Sequence, residues 1–430
     1  MTNPTIKLAL AGLGTVGSAV FKLAQEMRSV NTTVPIEIIA VSARDKSRDR
    51  GISLDKVVWF DDPVLMAKDS GADIVVELIG GSDGIAFDVC DAALANGKDL
   101  VTANKALLAH HGLYFATKAE RAGLSIGYEA AVAGAIPVIK ALREGLSSNI
   151  VQSIYGILNG TCNFILSRMR ESGCDFNTAL TEAKRRGYAE EDPSFDIDGV
   201  DAAHKLSILA SVAFGCIPKF ESVKIEGIRH ITDLDISFAQ ELGYRIKLLG
   251  IAQKISGIVE QVIQPCMVKI GSPMAHVEGV YNAIAIKGSA SGPIILEGQG
   301  AGADPTASAV LADIIDLTRG IRPPILGVPV QYLTFNEDKN TENNIGRYYV
   351  RLMVLDRSGV FAEVAGALRD ENVSMEAILQ RTRSPGEPVP VVMTTHEVDS
   401  HSMKRVLRRL SAIDTVVEDP RAIRIEPLTF

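Results

Sequence analysis

The chain is short of cysteine, of aromatic residues and of long apolar runs, and each shortage excludes something. Its five cysteines, Cys90, Cys162, Cys174, Cys216 and Cys266, form no CxxC pair. That argues against a structural zinc site and predicts free thiols in a reducing, cytoplasmic setting. The seven histidines include no HExxH, so zinc-protease chemistry is not expected. The longest apolar run lies between Lys205 and Lys219, short of the roughly 20 residues a membrane helix needs. The first ten residues carry neither a basic n-region nor an apolar h-region, which predicts a soluble protein that is not secreted. Lysine and arginine total 44 against 52 aspartates and glutamates, a formal charge of −8. With no basic stripe interleaved with aromatics, nucleic acid is not an expected partner.

What is present reads as a multidomain α/β protein. Residues 6–11, 36–42, 74–79, 100–102 and 124–127 are apolar, β-branched runs separated by helical stretches. Strands alternating with helices predict a doubly wound parallel sheet of the Rossmann type over residues 1–148. From about Asn149 the texture becomes α+β. A strand is expected at 150–158, helices near 161–172, 176–187 and 199–214, and strands at 247–255, 261–270, 280–287 and 294–297. This second domain, 149–302, precedes a helix at 306–319 that is expected to complete the first domain with the rest of 303–330. Pro323, Pro324 and Pro329 and the polar stretch 336–344 mark a linker, taken as 331–345. Residues 346–430 then follow a β-α-β-β-α-β order, with strands or helices at 348–355, 360–370, 373–380, 389–395, 403–412 and 416–425. That order is ferredoxin-like.

Gly12-Leu13-Gly14-Thr15-Val16-Gly17 is a GxGxxG between a strand and a helix, the context a dinucleotide turn requires. The first glycine permits the tight turn, the second admits the pyrophosphate, and the third lets the helix pack on the strand. A glycine-rich turn without a ligand is the plainer alternative. At the end of the second strand an NAD-selective site wants a carboxylate for the ribose 2′-hydroxyl. Arg44 stands there, followed by Asp45, Lys46, Arg48 and Arg50. Cations suit a 2′-phosphate and hence NADP, a solvated charged loop accounts for them equally well, and NAD stays open.

The stretch 187–206, GYAEEDPSFDIDGVDAAHKL, carries Glu190, Glu191, Asp192, Asp196, Asp198 and Asp201 before Lys205. So many carboxylates repel one another unless a cation or ammonium group neutralises them. Asp201 and Lys205 share one helix face at i, i+4. They read either as an ordinary surface pair or as a lysine at a cleft, passing a proton to or from an oxygen while hydride moves at the neighbouring carbon. Lys105 closes Thr102-Ala103-Asn104-Lys105 beyond a strand's carboxyl end, where ligands of open α/β sheets sit; a helix-start lysine in solvent is its alternative. Cys162 has no local histidine, and a buried structural role suits it better than that of a nucleophile.

On these residues the chain resembles the monofunctional homoserine dehydrogenases. The resemblance rests on Gly12–Gly17, on Thr102 to Lys105, on Ala133-Gly134-Ala135-Ile136-Pro137, on 156–166, on the long 187–206 stretch and on Gly300-Ala301-Gly302-Ala303. Residues from about 346 resemble an ACT regulatory module. The resemblance implies interconversion of L-aspartate 4-semialdehyde and L-homoserine with NADP or NAD. It implies Lys205 as catalytic acid/base, supported by Asp201, with Lys105 as a second lysine. It implies a substrate site of Glu190, Asp196, Gly160, Thr161 and Tyr188, and a cofactor site of residues 12–17, Arg44, Thr102, Lys105 and Gly302. A monovalent cation, sodium, is implied at Glu129, Val132, Gly134 and Ile136, mostly through main-chain carbonyls. A homodimer or homotetramer and feedback by an amino acid, threonine first, are implied as well.

One position departs from the ACT pattern, which usually places proline before the glycine of its first strand-to-helix turn. This chain reads Asp356-Arg357-Ser358-Gly359. Two rival readings follow from the same residues: a semialdehyde dehydrogenase that acylates Cys162, and a non-catalytic sensor of NAD(P) and an amino acid.

Overall fold

A computed structural model describes residues 5–27, 35–335, 345–381 and 384–428. The expected linker at 331–345 falls mostly outside the described residues. The first sheet has six parallel strands: β1 (Ile6–Ala11), β2 (Ile36–Ser42), β3 (Val58–Phe60), β4 (Ile74–Glu77), β5 (Asp99–Thr102) and β6 (Ile126–Gly127). Their order is β3-β2-β1-β4-β5-β6, the Rossmann order, whose reversal beside β1 opens a crevice at the strands' carboxyl ends. The three-residue β3 was not expected, because so short a run around Trp59 carries no periodicity. The helix Ala303–Thr318 packs on this sheet through Ala307, Val310, Leu311 and Ile314, which share a core with Leu8, Leu10, Val41, Val76 and Val101. Burying each of the larger of these side chains contributes about 1.5–3 kcal/mol.

The second sheet is mixed and runs through β12-β11-β7-β9-β10-β17-β13-β15-β14. Its first part comprises β7 (Val151–Ile157), β9 (Tyr244–Ile255), β10 (Ile258–Lys269), β11 (Tyr281–Gly288) and β12 (Gly292–Gln299), with the short β8 (Lys224–Ile225) on the edge of β10. β9 and β10 form a long hairpin closed by Ser256 and Gly257, both at positive φ (50° and 87°). Two such residues make the turn whose twist matches the strands.

The last part comprises β13 (Ile345–Leu355), β14 (Met375–Gln380), β15 (Pro388–Thr395), β16 (Val398–Asp399) and β17 (Arg421–Glu426), with helices at Val360–Asp370 and Ser400–Ser411. The order β17-β13-β15-β14 is that of a ferredoxin-like module. Side chains of β13 alternate as a strand must. Val350, Leu352 and Val354 face the module's own helices. Tyr349 and Arg351 face the helix Asp233–Glu241, where both meet Asp235 Oδ1, at 3.1 and 2.8 Å.

The last helix starts at Ser400, three residues before its first expected position, because Asp399 caps it by accepting from the Ser402 amide. The last strand starts later than expected, at Arg421; before it Val416 makes only an isolated bridge with Val354, and Pro420 has no N–H to give a ladder. The module joins the main sheet through three parallel pairs between β10 and β17, a continuity that the linker reading did not foresee. Among the described residues no helix is long and apolar enough to cross a membrane.

Candidate active site

The glycine turn follows β1, and the helix Thr15–Met27 starts on it. Gly12 sits at φ +105°, and a Cβ there would lie 2.6 Å from the Leu78 carbonyl oxygen. A Cβ on Gly17 would lie 2.0 Å from the Gly12 carbonyl oxygen, so strand and helix approach as only glycines permit. A Cβ on Gly14 would meet nothing within 4 Å. That open side, with Thr15 and Val16 presenting helix N-terminal amides, is where a pyrophosphate fits. Leu13 is buried beneath the turn. The site suits a dinucleotide on its own geometry.

Sequence reasoning missed Glu77. It is fully buried, accepts from the amides of Ile79 and Gly80 (2.7 and 3.0 Å) and from the Thr102 hydroxyl (2.6 Å). It therefore shapes the loop against which Gly12 packs, and the Thr102 side chain is committed to that loop. At the second strand's end Arg44 is exposed, whereas Arg50 donates to the Leu13 carbonyl at 3.0 Å and ties the charged loop to the glycine turn. Asp45 accepts from the amide and hydroxyl of Ser47 (2.8 and 2.7 Å), so its carboxylate is turned into its own loop. Gly302, at φ +125°, opens the helix Ala303–Thr318.

Lys105 and Lys205 meet on one carboxylate. Asp201 Oδ1 is 2.7 Å from Lys105 Nζ, and Asp201 Oδ2 is 2.8 Å from Lys205 Nζ. Lys205 also donates to the Leu158 carbonyl at 2.7 Å. It is more deeply buried than the sequence suggested, with 8% of its surface exposed. The helix Val200–Phe214 starts after Gly199, so Asp201 lies in its first turn, where a negative charge is favoured. Lys105 is the first residue of the helix Lys105–Ala122, capped by Asn104. A cation there opposes the helix dipole, a local cost that Asp201 offsets.

Burial, which would raise the Asp201 carboxyl, is more than offset by the two lysines, which hold it well below the usual carboxylate range. Burial, and secondarily the Lys105 charge, depress the Lys205 ammonium against the pull of Asp201. For Lys105 the balance reverses: burial lowers it, yet Asp201 carries it above an ordinary lysine. The arrangement thus separates a lysine that holds its proton more tightly from one that gives it up more easily.

Of the acidic stretch, Asp196 and Asp201 turn inward. Asn159, which the sequence did not single out, donates to Asp196 Oδ1 and Asp201 Oδ2, both at 2.8 Å. The Thr161 hydroxyl lies 2.7 Å from the Tyr188 carbonyl and 3.1 Å from Asp196 Oδ2. Gly160 backs onto the Val280 carbonyl. Burial and Asp201 raise the Asp196 carboxyl. Glu190 stays exposed, within the electrostatic reach of Lys105. Asp198 instead pairs with Arg229 and Asp192 caps Ser194, so these two belong to the scaffold.

Cys162 is fully buried, its thiol 3.2 Å from the Asp196 carbonyl and pushed well up by burial, as befits a structural cysteine. A third feature the sequence did not flag is His204, stacked on Phe220 and 3.2 Å from His110. Burial, then His110, brings its imidazole down to about 4, so it is neutral.

The turn after β6 carries Glu129, Val132, Gly134 and Ile136, with Ala133 and Gly134 both at positive φ (58° and 55°). The Glu129 carboxylate accepts from the Ile139 and Lys140 amides at 2.8 and 2.9 Å, so a cation here would depend on main-chain oxygens. Burial and the neighbouring Asp313 push Glu129 up to about 7. Burial pushes Asp313 itself up to about 6. Gly134 abuts Gly300, which in turn abuts Asn282, whose buried amide has no hydrogen-bond partner among the described residues. Two buried carboxyls that burial disfavours in their charged forms, close to an orphaned amide, suit a small cation.

Three family descriptions match the chain: "Homoserine dehydrogenase" over residues 137–315, "Homoserine dehydrogenase, NAD binding domain" over 12–129, and "ACT domain" over 348–415. The chain is 40% identical to a homoserine dehydrogenase of Pseudomonas aeruginosa, over 98% of this chain and 99% of that one. Its structure is similar to that of a homoserine dehydrogenase from Thiobacillus denitrificans, with a TM-score of 0.92 and 38% identity over 99% of both chains. A hyperthermophilic archaeal homoserine dehydrogenase in complex with NADPH is similar at a TM-score of 0.65 and 27% identity, over 74% of this chain and 99% of that one.

Proposed function

The chain belongs to the homoserine dehydrogenase family, and from that membership we propose how its own residues run the reaction. The enzyme is an NAD(P)-dependent oxidoreductase acting on a CH–OH group, interconverting L-homoserine and L-aspartate 4-semialdehyde. The observation that carries the assignment of roles is the single carboxylate, Asp201, bridging Lys105 and Lys205.

A lysine ammonium has three donors. Asp201 and the Leu158 carbonyl take two from Lys205, and the third is left for the substrate oxygen. In the reducing direction Lys205 gives its proton to that oxygen; in the oxidising direction neutral Lys205 removes the hydroxyl proton. The bound nicotinamide supplies or accepts the hydride. Lys105 keeps its charge and holds the substrate's oxygen-bearing end. Glu190 takes the substrate ammonium, with Asp196 behind it, while Gly160, Thr161 and Tyr188 line the pocket. The phosphates rest on residues 12–17, Gly302 closes over them, and Lys105 and the Thr102 backbone face the nicotinamide side.

Arg44 is exposed at the end of the second strand, where it would meet a 2′-phosphate, and the Asp45 carboxylate is occupied with Ser47; both support NADP as a cofactor beside NAD. An assay of homoserine-dependent reduction of NADP⁺ and NAD⁺, with and without L-threonine, tests substrate, cofactor and feedback together. Reduction of NADP⁺ and its inhibition by threonine are the expected results. No homoserine-dependent reduction of either nucleotide would sink the reading.

The turn Glu129, Val132, Gly134 and Ile136 is the place for a sodium ion. Glu129 and Asp313 have folded pKa values of about 7 and about 6, raised above the ordinary carboxylate values. Their stabilising contribution is therefore present at acid pH and lost as pH rises through that range. A cation reverses the loss. Sodium chloride in place of tetramethylammonium chloride is expected to raise the melting temperature by about 2 °C or more near pH 8, and by less at about pH 5. An equal effect at both pH values would remove the cation from this turn.

All five cysteines are free thiols, which supports a cytoplasmic enzyme. The half-buried apolar residues of the edge strand β12 are the surface for a second copy, giving a homodimer, or a tetramer if the ACT modules also pair.

A further inference from the structure

Lys247, near the start of β9, is buried with 2% of its surface exposed, and no step of the reaction uses it. Taking an ammonium out of water is costly unless an opposite charge and hydrogen bonds replace the water. Its ion pair among the described residues is a loose one: Glu278 Oε2 lies 3.8 Å away and also faces Arg170 at 3.0 Å. Dipoles hold the ammonium instead. It donates to the Val277 carbonyl and, at 3.0 Å, to the Asn163 side-chain oxygen.

Those two contacts join segments that frame the substrate pocket. Asn163 belongs to the helix Gly160–Ser172, and Val277 opens the segment 277–281 that leads into β11. The segment follows one stripe of that helix, residues 160, 163, 167 and 170, which helical spacing places on a single face. The Asn163 NH₂ group lies 3.1, 2.9 and 3.2 Å from the carbonyls of Val277, Gly279 and Tyr281. The Gly279 amide donates to the Ser167 hydroxyl at 3.3 Å, and Glu278 meets Arg170. At the head of the stripe a Cβ on Gly160 would lie 2.7 Å from the Val280 carbonyl oxygen, so segment and helix approach as only a glycine permits. The same end of the helix carries Asn159, which bridges Asp196 and Asp201, and Thr161, beside Asp196. A slide or rotation of the helix on the segment therefore moves the pocket wall.

We propose that Lys247 is a positioning residue for substrate binding: reaching from the sheet, it locks Asn163 to Val277 and so fixes the helical turn that presents Gly160 and Thr161 to the substrate. This rests on the reading of Gly160 and Thr161 as pocket residues.

The test is steady-state kinetics and thermal unfolding of full-length Lys247→Met, with Ser167→Ala and Thr161→Val beside it. Methionine keeps the length of the buried side chain, and an apolar replacement for a buried charge is often neutral or stabilising. The Val277 carbonyl keeps the Asn163 amide. Lys247→Met is expected to raise the KM for L-homoserine about tenfold while kcat falls less than about threefold, the mark of lost binding common to ground and transition states. The KM for NADP⁺ stays within about twofold and the melting temperature at or above that of the wild type. A merely structural lysine would lower the melting temperature and leave the KM for homoserine unmoved, and that result overturns the proposal. An equal rise in both KM values overturns it too, since the whole crevice would then have loosened. If Lys247→Met does not fold, Ser167→Ala decides: a rise of about threefold in the KM for homoserine alone supports the proposal, and an unmoved KM overturns it. An unmoved KM for homoserine in Thr161→Val overturns instead the pocket reading beneath it.

Discussion

Replacing Lys205 with alanine is expected to lower kcat about 10³-fold in both directions, the usual worth of a positioned proton donor, while the affinity for NADPH stays within about twofold. The asymmetry follows from where the side chain sits. Its ammonium is fixed by Asp201 and the Leu158 carbonyl, both in the substrate half, whereas the dinucleotide turn is formed by residues 12–17. The variant should also fold. Removing one partner of a buried ion pair is severe when it orphans the other charge, but Asp201 keeps Lys105 at 2.7 Å and the Asn159 amide at 2.8 Å. A steady-state assay with a fluorescence titration of NADPH separates the two effects. A nearly full rate would sink the assignment of the proton to this residue. A collapse of NADPH affinity would instead mean that the substitution had disturbed the crevice as a whole.

Much of this site was legible in the sequence because its chemistry is local. The glycine turn is six consecutive residues whose backbone demands can be read from residue type. Asp201 and Lys205 are neighbours by helix geometry alone. What the sequence does not carry is the meeting of distant segments. Lys105 reaches Asp201 from a helix 96 positions earlier, and no periodicity relates the two. Glu77 and Asn159 escaped notice for the same reason. A single glutamate at the end of an apolar strand looks like its termination, yet here it folds back to take two amides and a hydroxyl. An asparagine before a helix looks like a cap. Asn159 is one, accepting from the Cys162 amide at 2.8 Å, and its NH₂ group simultaneously joins two carboxylates. The last module was legible element by element, since its alternating strands and amphipathic helices are short-range patterns. Its fusion to β10 was not, because three residue pairs at a sheet edge leave no compositional mark.

Asp201→Asn changes one atom and tests the electrostatics rather than the proton carrier. The carboxylate holds two lysines at 2.7 and 2.8 Å, and an amide of the same shape offers neither a counter-charge. A buried, unpaired ammonium is costly enough that the group sheds its proton instead. Lys205 is already depressed by burial and by Lys105, so it yields first. Its pKa should fall further, because the close opposite charge that favours the ammonium is gone. Homoserine oxidation needs neutral Lys205, so its acid limb moves to lower pH. Semialdehyde reduction needs the protonated form, so its alkaline limb moves down by the same amount, as a shared equilibrium constant demands. Loss of the bridge also frees both lysines to drift, and a misplacement of about 1 Å costs about 10² in rate, so the plateaus fall as the limbs shift. Profiles of kcat/KM against pH in both directions distinguish the two effects. A merely structural aspartate would lower the plateaus and leave the limbs where they were, and that outcome would deny Asp201 its part in setting the proton affinity of Lys205.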